Sequence, residues 1–158
     1  MSERILIIPP SGLSSVQRSK LIDHIAAGEE VNKDYVEIGL PRSQLVGLML
    51  SGDEIISSAV FKNPLASYTD KVFRKAKVDG ALNYRYELGY IATNRKFERK
   101  GFCQGLFKAF FPHINHLNFF ATSRKPSMIH ILQKFGMEST GEIYDDDLCL
   151  LIHSPRKK

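Results

Sequence analysis

The stretch from Tyr84 to Phe107 changes its periodicity once, and that change constrains the fold more than anything else in the chain. Tyr84 to Thr93 alternates as a half-buried strand does, with aromatic and β-branched residues throughout. Asn94 to Gly101 is a basic turn that carries a glycine. From Phe102 the apolar residues Phe102, Leu106, Phe107 and Phe110 recur at helical spacing, and the pattern stops before Pro112. A strand therefore feeds a helix through a short basic turn. The first amides of a helix have no acceptor inside it, and the aligned peptide dipoles make that end positive. Phosphate binds readily at such a place. Gly101 lets the backbone approach a ligand closely, and Arg99 and Lys100 add positive charge. Taken alone, the same residues also suit an ordinary connection with solvated lysines, so the flanking segments have to decide.

Upstream, Ile5 to Ile8 reads as a strand closed by two prolines. Ser14 to Ala27 reads as a helix, with Val16, Leu21, Ile22 and Ile25 near one face and Gly28 at its end. Leu45 to Leu50 and Glu54 to Lys62 are β-prone runs joined by the turn Ser51-Gly52-Asp53, a hairpin. Leu65 to Val78 is ambiguous, although Val72, Phe73 and Ala76 fit one helical face. Downstream come a short strand at Leu117 to Thr122 and a helix at Pro126 to Phe135 with a proline in its first turn. Two final strands, Ile143-Tyr144 and Leu148 to Ile152, are split by Asp145-Asp146-Asp147. This order, in 158 residues with an ordinary 43% of hydrophobic residues, predicts one α+β domain over residues 1–158. No apolar run approaches the roughly 20 residues of a membrane helix, and the first residues lack the apolar segment of a signal peptide. Two cysteines, Cys103 and Cys149, are too few for a disulfide framework or a zinc site. A cytoplasmic protein without metal is expected. The net charge of +5 favours anionic partners, a nucleic acid or a phosphorylated cofactor.

The turn Glu98-Arg99-Lys100-Gly101-Phe102-Cys103 resembles the cofactor motif of the Gcn5-related N-acetyltransferase (GNAT) superfamily. That motif is usually Arg or Gln, two residues, Gly, one residue, then Gly or Ala. Gly101 takes the invariant glycine, Cys103 the second small position, and Glu98 stands where Arg or Gln is usual. A second likeness lies at Leu132-Gln133-Lys134-Phe135-Gly136-Met137, where the family often carries Tyr-x-Lys-x-Gly-Phe at a helix end. The preceding strand, Leu117 to Thr122, sits where the family's fifth strand belongs. The resemblance covers about residues 84 to 145, and the upstream hairpin and helix fit the family order. It implies a central, mostly antiparallel twisted sheet of about six to seven strands, flanked by helices and splayed between the fourth and fifth strands.

The resemblance also implies a chemistry, the transfer of an acetyl group from acetyl-coenzyme A to a primary amine by direct attack. Backbone groups of Ile91, Ala92 and Thr93 would face the pantetheine arm, with an N–H near Ile91 polarising the thioester carbonyl. The amides of Arg99, Lys100, Gly101, Phe102, Cys103 and Gln104 would hold the pyrophosphate. Lys125 or Ser127 would contact phosphates or pantetheine. Glu87, set in an otherwise apolar or aromatic strand, is the expected general base, an ion pair with Arg85 or Arg124 being the structural alternative. Leu132 occupies the place of the family's tyrosine general acid, so Tyr144 or Tyr90 would have to substitute, or the thiolate leaves unaided. Cys103 at a helix start has a setting that can lower a thiol pKa, but a small packing residue is the simpler reading. His113 and His116, three apart without acidic or cysteine companions, suit a surface loop, and the three aspartates suit a solvated turn. Phe107, Phe110, Phe111, Phe119 and Phe120 are expected in the core. Specificity for the acceptor is expected in residues 28 to 44 and 63 to 83, in a monomer or homodimer. Two other readings compete. One is a catalytically silent coenzyme A binder. The other is a nucleic-acid-binding or modifying protein that uses Lys71, Arg74, Lys75, Lys77 and the tail Arg156-Lys157-Lys158.

Overall fold

A computed structural model of the chain describes residues 3–28 and 31–155, and the basic tail Arg156-Lys157-Lys158 lies outside the described residues. The described residues form seven strands in one sheet of order β1-β2-β3-β4-β5-β7-β6. The strands are β1 Glu3–Ile8, β2 Leu45–Ser51, β3 Glu54–Lys62, β4 Tyr86–Thr93, β5 Phe119–Ser123, β6 Glu138–Tyr144 and β7 Leu148–His153. The helices are α1 Ser15–Gly28, α2 Lys33–Gly39, α3 Ala66–Lys75, α4 Phe102–Phe110 and α5 Pro126–Lys134. The β1–β2, β2–β3, β5–β7 and β6–β7 pairings are antiparallel. The β4–β5 pairing is parallel and joins Tyr86 to Phe119 and Glu87 to Phe120. This is the mixed α+β sheet flanked by helices that the sequence order predicts.

The residues group into two compact units, and the chain passes between them after Lys62, after Leu88 and after Phe110. In the first unit, residues 1–62 and 89–110, alternation along β2 sorts side chains to two faces. Val46, Leu48 and Leu50 pack with Leu21, Ile22 and Ile25 of α1 and Val36 of α2. On the opposite face Gly47 lies under α4, where an added Cβ would come within 2.8 Å of the Phe110 ring. α1 starts with a reciprocal cap. The Gln17 amide donates to Ser14 Oγ at 3.1 Å, and the Ser14 amide donates to Gln17 Oε1 at 2.9 Å. Val16, expected on the buried face of this helix, is exposed, because it falls in the first turn before α1 reaches the core.

In the second unit, residues 63–88 and 111–158, Val72, Phe73 and Ala76 of α3 pack on Phe120 and Leu150. The ambiguous segment is thus a helix, and its apolar positions are the ones that bury. Phe73 meets Phe120 edge-on at 5.4 Å and stacks on Tyr84 at 5.3 Å. α5 has Pro126 in its first turn and ends at Phe135, where Gly136 (φ 97) turns the chain into β6. All five phenylalanines expected in the core, Phe107, Phe110, Phe111, Phe119 and Phe120, are buried. No helix among the described residues is long and apolar enough to cross a membrane.

Candidate active site

The strand–turn–helix in the first unit follows from its local sequence. β4 ends at Thr93, and Asn94 fixes the exit: its amide donates to the Ile56 carbonyl at 2.8 Å while its side chain accepts from the Lys96 amide at 3.1 Å. A single 3-10 turn, Arg95–Phe97, follows. Lys96 is spent on Glu54, at 2.6 Å. Arg99 (φ 62) and Gly101 (φ 79) are both left-handed, so the backbone swings sharply into α4. The ladder of α4 opens with the Gly105 amide on the Gly101 carbonyl, 3.0 Å, so the amides of Phe102, Cys103 and Gln104 precede it. An added Cβ at Gly101 would meet nothing within 4 Å, so the space over the turn is open. Arg99, Lys100 and Glu98 are exposed around it. Glu98, in the place of the usual Arg or Gln, ends the 3-10 turn in an extended conformation. The turn has the open backbone, the helix start and the cations that a pyrophosphate requires.

β4 contains a feature that its sequence does not announce. Tyr90, in mid-strand, has φ 48, a left-handed conformation that is an outlier for a bulky residue. Three neighbours hold it. Ser58 Oγ donates to its carbonyl at 2.8 Å, Lys62 Nζ sits 4.2 Å from its ring centre, and its hydroxyl end abuts Gly39, where a Cβ would come within 2.9 Å. Such a kink breaks the regular ladder and re-aims the peptide groups after it. Of the backbone positions expected to face pantetheine, Ala92 is buried, and its carbonyl is 3.0 Å from His24 Nε2 of α1. Burial pushes the His24 pKa down, with the bond to Ala92 opposing it, which suits a neutral ring donating N–H to that carbonyl. The Thr93 hydroxyl is 3.0 Å from Ser57 Oγ, and Ile91 is half-buried. Tyr90, an alternative general acid by sequence, belongs to the core of this unit with Leu21, Ile25 and Val36.

In the second unit Glu87 is only 4% exposed. The Tyr68 hydroxyl of α3 donates to its Oε2 at 3.2 Å. Tyr144 of β6 lies near enough that the Glu87 charge, after burial, raises its phenol pKa to about 12, with Asp145 adding and Arg124 opposing. Tyr144 therefore stays protonated at neutral pH. Arg124 pairs with Asp147 at 3.3 Å, and Arg85 lies over the Tyr86 ring at 5.5 Å. The structure so brings Glu87 and Tyr144 together and adds Tyr68, which sequence reasoning did not single out. The available signal was a tyrosine in the first turn of an ambiguous helix. Leu132, where the family carries tyrosine, is wholly buried. Lys125 and Ser127 are exposed at the start of α5, where the Lys125 amide donates to Ser123 Oγ at 3.2 Å.

The remaining sequence candidates take plain roles. Burial pushes the Cys103 thiol up to about 12, so the helix start does not make it a thiolate. Lys75 pairs with Asp145 at 2.8 Å, Lys77 with Glu142 at 3.1 Å, and Arg74 with Asp70. The acidic turn and the basic run thus meet in one ion pair, Lys75 with Asp145, and the other two cations have carboxylate partners elsewhere. No group of three His, Cys, Asp or Glu suited to a metal occurs among the described residues.

No protein-family model and no curated protein matches the sequence. Solved structures do resemble the fold. ElaA of Escherichia coli matches 97% of this chain and 100% of its own, with TM-score 0.72 and 15% identity. A Bacillus subtilis acetyltransferase in complex with CoA matches 98% and 100%, with TM-score 0.67 and 16% identity. A GNAT family acetyltransferase from Elizabethkingia anophelis with acetyl-CoA bound matches 96% and 97%, with TM-score 0.63 and 14% identity. The likeness covers nearly the whole of each chain, and the chain has the fold of the Gcn5-related N-acetyltransferase superfamily.

Proposed function

We propose that the protein is an acetyl-CoA-dependent N-acetyltransferase that acts on a primary amine by direct attack, as a monomer or homodimer in the cytoplasm. The observation that carries this reading is the open left-handed turn at Arg99 and Gly101 leading into α4. Solved structures of the same fold with CoA and with acetyl-CoA support it. Acetyl-CoA supplies an acetyl group activated as a thioester. The amides from Arg99 to Gln104 hold the pyrophosphate, with the exposed Arg99 and Lys100 offsetting Glu98. Lys125 or Ser127 adds a contact to phosphate or pantetheine. The run Ile91, Ala92, Thr93 lies along the pantetheine arm, and an N–H near Ile91 stabilises the charge that develops on the carbonyl oxygen.

The reaction forms one C–N bond and breaks one C–S bond. Glu87 accepts the proton that the amine nitrogen sheds. Tyr144 gives its phenol proton to the departing sulfur and regains one from solvent, to which Glu87 releases the proton it took. A thiol-release assay over a panel of amines, with Glu87→Gln beside wild type, tests this. The base role predicts a fall in kcat of about 100-fold or more in the variant at neutral pH. Full turnover by Glu87→Gln at every pH would contradict it.

One observation favours a second reading, a catalytically silent coenzyme A binder: Leu132 is buried in the position of the family's tyrosine. Cofactor binding without thiol release over the whole panel would select it. The nucleic-acid reading loses support from the ion pairs that occupy Arg74, Lys75 and Lys77.

A further inference from the structure

The geometry points to Tyr68 as a positioning residue that holds the Glu87 carboxylate for proton transfer, with the Thr122 hydroxyl behind it. This rests on the reading of Glu87 as general base. Tyr68 stands in the first turn of α3, which begins where the Leu65 carbonyl accepts from the Tyr68 amide at 3.0 Å and the Thr69 amide at 3.2 Å. Its phenol donates to Glu87 Oε2 at 3.2 Å, and Thr122 of β5 hydrogen-bonds the same phenol. Three elements of one unit thus converge through a chain of hydroxyls on a single buried carboxylate. Glu87 pairs in the ladder with Phe120, which is fully buried, so its surroundings on that side are apolar.

The exposure of Tyr68 argues that its hydroxyl is the reason for its presence. The residue as a whole is 41% exposed, so it contributes little to the core. Its hydroxyl end is the enclosed part, and burial is the first cause that raises its pKa, followed by the charge of Glu87. A phenol of raised pKa keeps its proton and so remains a donor to the carboxylate. Within this unit the groups facing Glu87 are Tyr68 from α3 and Tyr144 from β6, with Asp145, Cys149 and Arg124 around Tyr144. A hydrogen bond to the carboxylate form favours that form and fixes which oxygen faces the phenol. Losing it lets the carboxyl rotate.

The test is steady-state thiol release by the intact protein, with kcat and the KM for the amine read separately beside the thermal midpoint. In Tyr68→Phe kcat should fall about 10-fold while KM changes little, because the carboxylate is still present but no longer held. In Thr122→Val, a second route to the same network, kcat should fall by less. The thermal midpoint of Tyr68→Phe should stay within a few degrees of wild type. An unchanged kcat in both variants, beside an inactive Glu87→Gln, would overturn the role of Tyr68 alone. Full turnover by Glu87→Gln would overturn the base reading and the positioning role together.

Discussion

Gly101 and His24 carry the two residue-scale predictions. Gly101 has φ 79 and open space over its Cα, so a side chain there strains the backbone and fills the space a phosphate would occupy. Gly101→Val should weaken coenzyme A at least about 10-fold while costing about 1–2 kcal/mol of stability. Calorimetric titration beside a urea melt checks this, and unchanged affinity would place the pyrophosphate elsewhere. His24 tests linkage. Its pKa is lowered from 6.5 by burial, so the unfolded chain binds this proton more readily than the folded one. Its contribution to stability is present above that ordinary value and is lost as pH falls through it. Urea melts at pH 7.5 and 5.5 should show a smaller difference for His24→Gln than for wild type. An identical difference would mean that the ring is not buried against Ala92 as described.

At the scale of elements, β6 offers the sharpest prediction. Its register with β7 shifts between Thr140 and Tyr144, and at this shift the Glu142 amide donates to the Ala76 carbonyl at 2.8 Å. Gly141 has φ 72, and an added Cβ would lie 2.3 Å from that carbonyl oxygen. Gly141→Ala should cost about 2–4 kcal/mol, visible as a lower urea midpoint with the slope unchanged. Little of this was legible beforehand. Glu138 to Thr140 read as no element because β6 is the sheet's outer strand, exposed along most of its length and without an apolar alternation. α2 was missed for a related reason: seven residues with only Val36 buried carry no helical stripe. The hairpin was legible as two apolar runs, buried along nearly their whole length, around a Ser-Gly-Asp turn, and β4, α4 and α5 because their apolar positions recur at strand or helix spacing and are bounded by Gly, Pro or Asn. The kink at Tyr90 was not, since an aromatic residue in a strand pattern gives no sign of a left-handed φ, which here is imposed by Ser58, Lys62 and Gly39. Gly101 could be read from the turn, whereas the partner of Glu87 lay 19 residues away in sequence on an ambiguous helix.

For the whole molecule, the path of the chain decides how it should unfold. It leaves and re-enters the two compact units after residues 62, 88 and 110, and β4 contributes to both. Neither unit is a continuous piece of sequence, which favours one cooperative transition, as expected of a single domain. Coincident urea curves from far-ultraviolet dichroism and tyrosine fluorescence are predicted, and two separated transitions would contradict this. Charge belongs to the same scale. The net +5 includes three cations of the α3 region that are tied to carboxylates, so affinity for duplex DNA at physiological salt should be no tighter than non-specific, about 10⁻⁴ to 10⁻⁶ M. The central claim remains that the turn from Glu98 to Cys103 holds the pyrophosphate of an acyl donor. Isothermal titration with acetyl-CoA tests it most directly: the account predicts saturable one-to-one binding, lost or weakened in Gly101→Val, and no heat of binding at millimolar acetyl-CoA would contradict it.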